Sequence, residues 1–276
     1  MTDPRGGIAG VFDRASETYD QLGIEFFGPV GRSLVELVGV EPGDDVLDVG
    51  CGRGAVLFAA AEAAGPTGSA LGFDLAPGMV ERTRADAEAR GLSTVRVEQR
   101  DAQEPDLPAA AYDVVLSSLV VFFLPDPLAG LTAWRRAARD GARLGVTTFA
   151  ARDDPRWDWL LELFPERDPR ATRLGGDEDS SPFATDERLH ALLATAGWVG
   201  ARSETRQQVT TFRDPAEWLP FSWSVGTRHY WERTPEERRP DIERQAIEHL
   251  TRMAAEPEAL TQRNEVRYTT ATAAVS

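Results

Sequence analysis

A glycine-rich segment directly after an apolar run is the clearest sign of chemistry in this sequence. Residues 46–54 read VLDVGCGRG, and an alanine-rich helical pattern follows them. Glycine is needed wherever a side chain would keep a ligand away from the main chain. The first turn of a helix also presents backbone N–H groups that have no partner within the helix. The segment therefore predicts a site at which a small ligand lies against the backbone.

Two carboxylates accompany this segment. Asp74 ends the next apolar run, and a carboxylate there can accept hydrogen bonds from a pair of ligand hydroxyl groups. The alternative is that Asp74 caps a helix that begins at Pro77. Asp48 lies inside the first apolar run, where a buried carboxylate is costly unless it has a partner.

The elements that must position these residues alternate between strand and helix. Because strands that alternate with helices form parallel sheets covered on both faces, residues 41–149 predict a doubly wound half. Strands are expected at residues 45–50, 70–74, 95–98, 112–117 and 142–149, and helices at residues 55–64, 77–90 and 127–138.

The alternation breaks after residue 149. Residues 150–183 and 209–231 are rich in aromatic side chains without a clear period, and their length suggests a cap or lid. A helix is expected at residues 185–196, a strand at 198–206, an amphipathic helix at 242–253 and a last strand at 265–272. Residues 8–40 predict helical material before the first strand.

Charge and composition exclude several functions. The chain has 45 acidic and 30 basic residues and a net charge of -15, so nucleic acid and anionic membranes are poor partners. All basic residues are arginines, which excludes Schiff-base lysine chemistry and a standard P-loop.

Metal sites and targeting segments are also unsupported by the sequence. Cys51 is the only cysteine, and the three histidines lie far apart, so no metal is expected. The first residues lack a signal-peptide pattern. The longest apolar stretch, residues 114–124, is shorter than the roughly 20 residues of a membrane helix. We expect a cytoplasmic protein that acts as a monomer or a homo-oligomer.

Residues 46–54 resemble the first motif of class I S-adenosylmethionine-dependent methyltransferases, apolar-Leu-Asp-x-Gly-x-Gly-x-Gly. The similarity extends over about residues 12–150 and more weakly beyond, and it is strongest to the quinone-methyltransferase-like group of small-molecule enzymes. It implies a Rossmann-like α/β fold with a seven-stranded, mostly parallel sheet and an antiparallel last strand. N-terminal helices at 8–40, a cofactor-binding half at 41–149, an inserted cap at 150–235, and a C-terminal helix and last strand at 236–276 would then form a single domain.

The resemblance also implies a cofactor site for S-adenosylmethionine, with S-adenosylhomocysteine as the product. Tyr19 would cover the methionine end, Asp74 would hold the ribose and Asp101 the adenine amino group. The alternatives are purely structural roles: core packing for Tyr19, a turn for Asp101 and a strand end for Ser117. The expected cofactor-binding residues are Tyr19, Asp48, Gly50, Cys51, Gly52, Gly54, Asp74, Leu75, Asp101, Ala102 and Ser117.

The implied reaction is an in-line transfer of a methyl group to an oxygen, nitrogen or carbon atom of a small acceptor, as in secondary metabolism. His229 is the candidate general base, since an imidazole suits that task at neutral pH, although a structural histidine is the alternative. Several aromatic residues are candidates for a pocket that binds an apolar or aromatic acceptor, unless they only pack the cap. They are Phe122, Trp157, Phe183, Trp223 and Tyr230.

Two other functions compete with this interpretation. Residues 50–55 also fit the GxGxxA pattern of NAD(P)-dependent oxidoreductases, with an acid about 20 residues later. Asp48 favours a methyltransferase, because dinucleotide folds usually carry an apolar residue there. A protein with the methyltransferase fold that binds the cofactor without methylating is the second alternative.

Overall fold

A computed structural model describes residues 4–152, 155–164, 181–255 and 260–275. Two helices precede the sheet, α1 (Pro4–Ala15) and α2 (Phe27–Val38). On α2, Val30, Leu34 and Val38 recur every four residues and are buried, so one face of this helix packs on the sheet. The predicted N-terminal helical segment is thus present, with a non-helical break at residues 16–26.

Seven strands of the described residues form one sheet. They are β1 (Asp45–Val49), β2 (Ser69–Asp74), β3 (Val95–Gln99), β4 (Tyr112–Ser118), β5 (Ala138–Arg152), β6 (Trp198–Thr211) and β7 (Thr261–Ala273). Their order in the sheet is β3-β2-β1-β4-β5-β7-β6. The strands β1 to β5 pair in parallel, and β7 runs antiparallel to both of its neighbours. The predicted mostly parallel sheet with an antiparallel last strand is confirmed.

The helices of the parallel half lie where the sequence predicts them, within one residue at each end. The helices expected at residues 185–196 and 242–253 are also present, the second beginning three residues early at Arg239, whereas residues 209–231 do not form the expected irregular stretch. They contain the end of β6 and two helices, the first of which begins after Asp214, whose carboxylate accepts from the Ala216 N–H (2.7 Å). The helices are α3 (Ala55–Ala64), α4 (Pro77–Ala89), α5 (Pro127–Ala137), α6 (Trp159–Glu162), α7 (Asp186–Thr195), α8 (Pro215–Ser224), α9 (Arg228–Arg233) and α10 (Arg239–Met253).

A second apolar core lies apart from the core of the sheet. It joins residues 155–164 to α8, α9 and α10, and we call these elements the cap. Trp231 at its centre is fully buried, and its indole N–H donates to the Ser222 hydroxyl (2.9 Å). Of the other predicted irregular stretch, residues 150–183, the parts at 153–154 and 165–180 lie outside the described residues.

The strand order places a binding crevice at one edge of the sheet. The chain leaves β1 to form β2 on one side, whereas β4 lies on the other side of β1. In open α/β sheets, ligands bind at such a reversal, outside the carboxyl ends of the strands. The glycine-rich segment, Asp74 and the end of β4 meet at this edge.

Candidate functional site

The glycine-rich segment makes a tight turn between β1 and α3. Gly50 has φ +70°, and a Cβ on it would lie 2.5 Å from a methyl carbon of Val120. No side chain fits there, because the connection after β4 approaches the backbone so closely. Gly52 and Gly54 also have positive φ values.

Asp74, at the end of β2, holds this turn in place. One carboxylate oxygen accepts from the Gly52 N–H and the other from the Ala76 N–H, each at 2.9 Å. Burial raises the pKa of Asp74, and the backbone hydrogen bonds oppose that shift. Each carboxylate oxygen can accept a further hydrogen bond, so Asp74 combines the capping role with capacity for ligand hydroxyls.

Asp48 lies beneath the turn, within β1. It is 1% exposed, and neither carboxylate oxygen has a partner at ordinary hydrogen-bond geometry among the described residues. Burial, and next the negative charge of Asp74, raise the pKa of Asp48 to about 8, and an interaction with the Leu57 backbone opposes that shift. Asp48 is therefore mostly protonated at neutral pH. Burial likewise raises the pKa of the neighbouring Cys51 thiol, which makes it a poor nucleophile.

The connection after β3 supplies the opposite wall. Asp101 accepts from the Gln103 N–H (2.9 Å), which is the turn that the sequence left as an alternative. The carbonyl of Ala102 accepts from the indole N–H of Trp134 (2.7 Å), a side chain that is fully buried on α5. Asp101 and Ala102 both line the crevice, so this side of it is held by hydrogen bonds and presents one carboxylate.

Helix α1 covers one side of the crevice. The carboxylate of Asp13 accepts from the Gly78 N–H (2.6 Å) at the first turn of α4. The guanidinium of Arg53 donates to the Ser16 carbonyl (2.7 Å) and to Asp86 (2.6 Å). These contacts fix α1 and the segment after it over the glycine-rich turn. Asp13 and Arg53 are positioning residues that the sequence analysis did not identify.

Tyr19 follows α1 and covers the turn. A Cβ on Gly52 would lie 3.7 Å from the Tyr19 ring, and that ring stacks on Phe27 with 4.5 Å between centroids. Burial is the main cause that raises the pKa of Tyr19 well above 10. The phenol therefore keeps its proton at physiological pH, and the ring offers an aromatic face to the crevice.

The crevice encloses about 790 Å³, its open mouth included. It brings together seven of the eleven predicted cofactor residues: Tyr19, Gly50, Gly52, Asp74, Leu75, Asp101 and Ala102. The other four, Asp48, Cys51, Gly54 and Ser117, do not line it. Side chains that line it but were not predicted include Phe12, Arg100, Ser118, Leu119, Val120 and Phe123.

The end of β4 shows why Ser118 lines the crevice and Ser117 does not. Successive strand residues point to opposite faces, and the Ser117 hydroxyl donates to the Val49 carbonyl (3.1 Å) within the sheet. The Ser118 hydroxyl lies 2.9 Å from the Thr147 hydroxyl, which also accepts from the Leu119 N–H (3.0 Å). Leu119 has φ +58°, and strained backbone of this kind is common at binding sites.

None of the residues predicted for the acceptor or for general base catalysis lines the crevice. In the cap, Trp223 stacks on Trp231 (5.4 Å). Burial, and next the charge of Arg233, lower the pKa of His229 on α9. Trp157 and Tyr230 also pack in the cap, whereas Phe122 and Phe183 pack against the sheet. Their catalytic or binding roles stay predictions, and their contacts match the packing alternative.

Metal and membrane features are absent from the described part of the chain. Within it, no group of three His, Cys, Asp or Glu side chains is placed to hold a metal ion. No helix there is both long and apolar enough to span a membrane.

Comparison with known proteins agrees with this geometry. A family described as a methyltransferase domain matches residues 46–141. The chain is 38% identical over 260 residues to nocamycin O-methyltransferase of Saccharothrix syringae, covering 89% of this chain and 91% of that one. It is 44% identical over 191 residues to aklanonic acid methyltransferase of Streptomyces sp. (strain C5), covering 68% and 86% of the two chains.

Solved structures share the fold at low identity. The YcgJ protein of Bacillus subtilis superposes with a TM-score of 0.60 and 18% identity, over 90% of this chain and 100% of that one. The [4+2]-cyclase SpnF superposes with a TM-score of 0.55 and 19% identity, over 90% and 82% of the chains. The second neighbour shows that the fold alone does not define the reaction.

Sheet order, glycine-rich turn and Asp74 together define a class I methyltransferase. With relatives this similar over most of its length, the chain belongs to the S-adenosylmethionine-dependent methyltransferase family, in its small-molecule group. It is an enzyme that uses S-adenosylmethionine as its methyl donor. The crevice fits that cofactor, because the turn carries no side chain at Gly50 and Gly52, which line it, and because Asp74 and Asp101 present carboxylates to it.

Proposed function

We propose that the enzyme methylates an oxygen atom that is already ionised, a carboxylate or an acidic phenolate, on a small apolar acceptor of secondary metabolism. The observation that carries this proposal is the set of side chains that line the crevice. Among the described residues that line it, none is a histidine, and Tyr19 holds its proton firmly. A neutral aliphatic hydroxyl needs a general base, whereas an ionised oxygen does not.

The carboxylates of the crevice have other tasks. Both oxygens of Asp74 accept from backbone N–H groups of the glycine-rich turn and of α4, and Asp101 accepts within its own turn. The bound cofactor supplies a methyl group on a positively charged sulfur. The protein then contributes alignment of the acceptor oxygen and exclusion of water, which are large terms in such displacements.

The relatives support transfer to oxygen. One is named as an O-methyltransferase, and the other is named for an acid as the compound that it methylates. An acid acceptor agrees with a crevice whose described lining contains no histidine. A cytoplasmic location and the choice between monomer and homo-oligomer stay part of this proposal, testable by cell fractionation and light scattering.

A matched acceptor series tests the proposal. The purified enzyme is supplied with S-adenosylmethionine and one aromatic skeleton that carries a carboxylic acid, a phenol, a hydroxymethyl group or an amine. Mass spectrometry should detect methyl esters or ethers from the acid and the phenol only. The pH dependence of kcat/KM should follow the acceptor's own pKa as ring substituents shift it.

Two outcomes would contradict the proposal. The first is methylation of the hydroxymethyl compound at a rate similar to that of the acid, because that reaction requires a base. The second is a pH profile with one rising limb that is the same for acceptors of different pKa, because that limb would belong to a group of the enzyme.

A further inference from the structure

Seven aromatic rings form a continuous circuit at the carboxyl edge of the sheet. Each ring contacts the next, with centroids 4.5 to 6.3 Å apart, and the last contacts the first. We call this set the aromatic wall. Its members, in order of contact, are Phe12, Tyr19, Phe27, Phe26, Phe149, Phe122 and Phe123.

The wall is assembled from four separate parts of the chain. They are α1, the segment that leads into α2 together with the first residue of that helix, the connection between β4 and α5, and the end of β5. Phe26 and Phe122 are buried and anchor the wall to the core of the sheet. The other five rings remain partly exposed. A contiguous apolar surface of this kind commonly marks a binding site.

The wall continues the cofactor crevice beyond its lining. Phe12, Tyr19 and Phe123 line the crevice, whereas Phe27 and Phe149 do not. Tyr19 and Phe27 are stacked nearly parallel, with 25° between their planes. Three of the seven rings therefore belong to the lining of the crevice, and the stacked pair of Tyr19 and Phe27 continues the aromatic contacts from that lining to α2.

A hydroxyl pair lies beside the wall. Thr147 and Phe149 are two residues apart on β5, so their side chains share one face of that strand. The Thr147 oxygen already accepts from the Leu119 N–H, and its own proton can be donated to Ser118, 2.9 Å away. Ser118 then keeps its proton for an acceptor oxygen. Chained donors of this kind strengthen one another.

We propose that the aromatic wall and Ser118 form the acceptor subsite, and that it selects planar, fused-ring aromatic acids. The ring system stacks on the partly exposed faces, and the Ser118 hydroxyl donates to the ionised oxygen. Offset stacked and edge-on arrangements stabilise aromatic contacts beyond their buried area, so a saturated ring system of the same size binds more weakly. The acid group of the acceptor rests on the proposed transfer to an ionised oxygen. The preference for planar rings does not depend on that proposal.

Calorimetric titration of the enzyme saturated with S-adenosylhomocysteine tests the subsite without any transfer. The probes are anthracene-2-carboxylate and its fully saturated analogue. The wild-type enzyme should bind the aromatic probe more tightly. Phe149→Leu should weaken that binding about three- to tenfold, the loss expected for one aromatic contact, and should leave the saturated probe unaffected. Phe149→Tyr, which keeps the ring, should bind as the wild type does.

Phe221→Leu is the matched control, because Phe221 is also partly exposed but packs on Phe212 in the cap. It should leave both affinities unchanged. If Phe149→Leu fails to fold, as thermal unfolding would show, Phe27→Leu tests the same wall from α2. Equal affinity for the two probes, or an equal loss for both in the Phe149 or Phe27 variant, would overturn the subsite.

The two proposals fail in different ways. Selective binding of the aromatic probe without methylation of acids would refute the proposed function and leave the planar subsite standing. Methylation of acids without selectivity for planar rings would refute the subsite alone.

Discussion

Replacing Asp48 with asparagine should remove a pH-dependent loss of stability. The folded enzyme holds a proton on Asp48 until about pH 8, because the carboxyl group is buried beside Asp74. An aspartate in the unfolded chain ionises near pH 4. Between about pH 4 and pH 8 the folded state therefore binds one more proton, and the free energy of unfolding falls as the pH rises.

The magnitude follows from one proton. Each pH unit in that window lowers the free energy of unfolding of the wild type by about 1.4 kcal/mol, which is about 3 kcal/mol between pH 5 and pH 7. Asp48→Asn keeps the shape and has no charge, so it escapes this loss. The difference in unfolding free energy between variant and wild type should rise by about that amount over the window. Below pH 4 it should be constant.

Urea unfolding of the cofactor-free enzyme, followed by the fluorescence of its seven tryptophans, measures this difference at pH 5, 6 and 7. Asp45→Asn is the control on the same strand. The Asp45 carboxylate accepts from Ser69 and pairs with Arg139, which lowers its pKa, so it is ionised in both states throughout this range. A difference for Asp48→Asn that does not change between pH 5 and 7 would refute the assignment of a buried, protonated carboxyl group.

Three further substitutions test the crevice. Asp74→Ala should weaken S-adenosylhomocysteine binding about ten- to a hundredfold in calorimetry, because it removes a charged acceptor and frees the glycine-rich turn. Gly50→Ala should abolish measurable binding, and adding Val120→Ala should recover part of it by removing the clash at 2.5 Å. Trp134→Phe should lower the free energy of unfolding by about 1–3 kcal/mol, because the buried Ala102 carbonyl loses its donor.

These expectations have clear contrary outcomes. Asp113→Ala, at the opposite end of the sheet, should leave the affinity unaffected. An Asp74→Ala enzyme that binds as tightly as the Asp113 variant would show that Asp74 does not contact the cofactor. No recovery in the double variant would mean that positive φ at residue 50, and not contact with Val120, excludes a side chain. Unchanged stability of Trp134→Phe would show that water replaces the indole.

The parallel half of the fold was predictable because its elements carry local signals. Apolar runs end in turn residues, and Pro77 and Gly91 bracket α4 closely. Within the cap, α10 carried a helical period, whereas the aromatic residues of the other parts recur without one, although Asp214 and Pro215 do mark the beginning of α8.

The cofactor site was more predictable than the acceptor site. Gly50 and Asp74 belong to one local motif, whereas the aromatic wall joins residues that lie far apart in the sequence. A single sequence does not show which distant rings meet. The choice between Ser117 and Ser118 was also beyond reach, because β4 is buried on both faces and shows no alternation between polar and apolar residues.

The position of β7 has a consequence for synthesis on the ribosome. In the described sheet, β6 pairs only with β7, and β7 separates it from β5. The strand translated after β6 must therefore enter between two strands that were made earlier. Until it emerges, β5 presents an unpaired edge and β6 has no neighbour in the sheet. Exposed edges of this kind favour aggregation, so the nascent enzyme is most vulnerable just before its last strand is released.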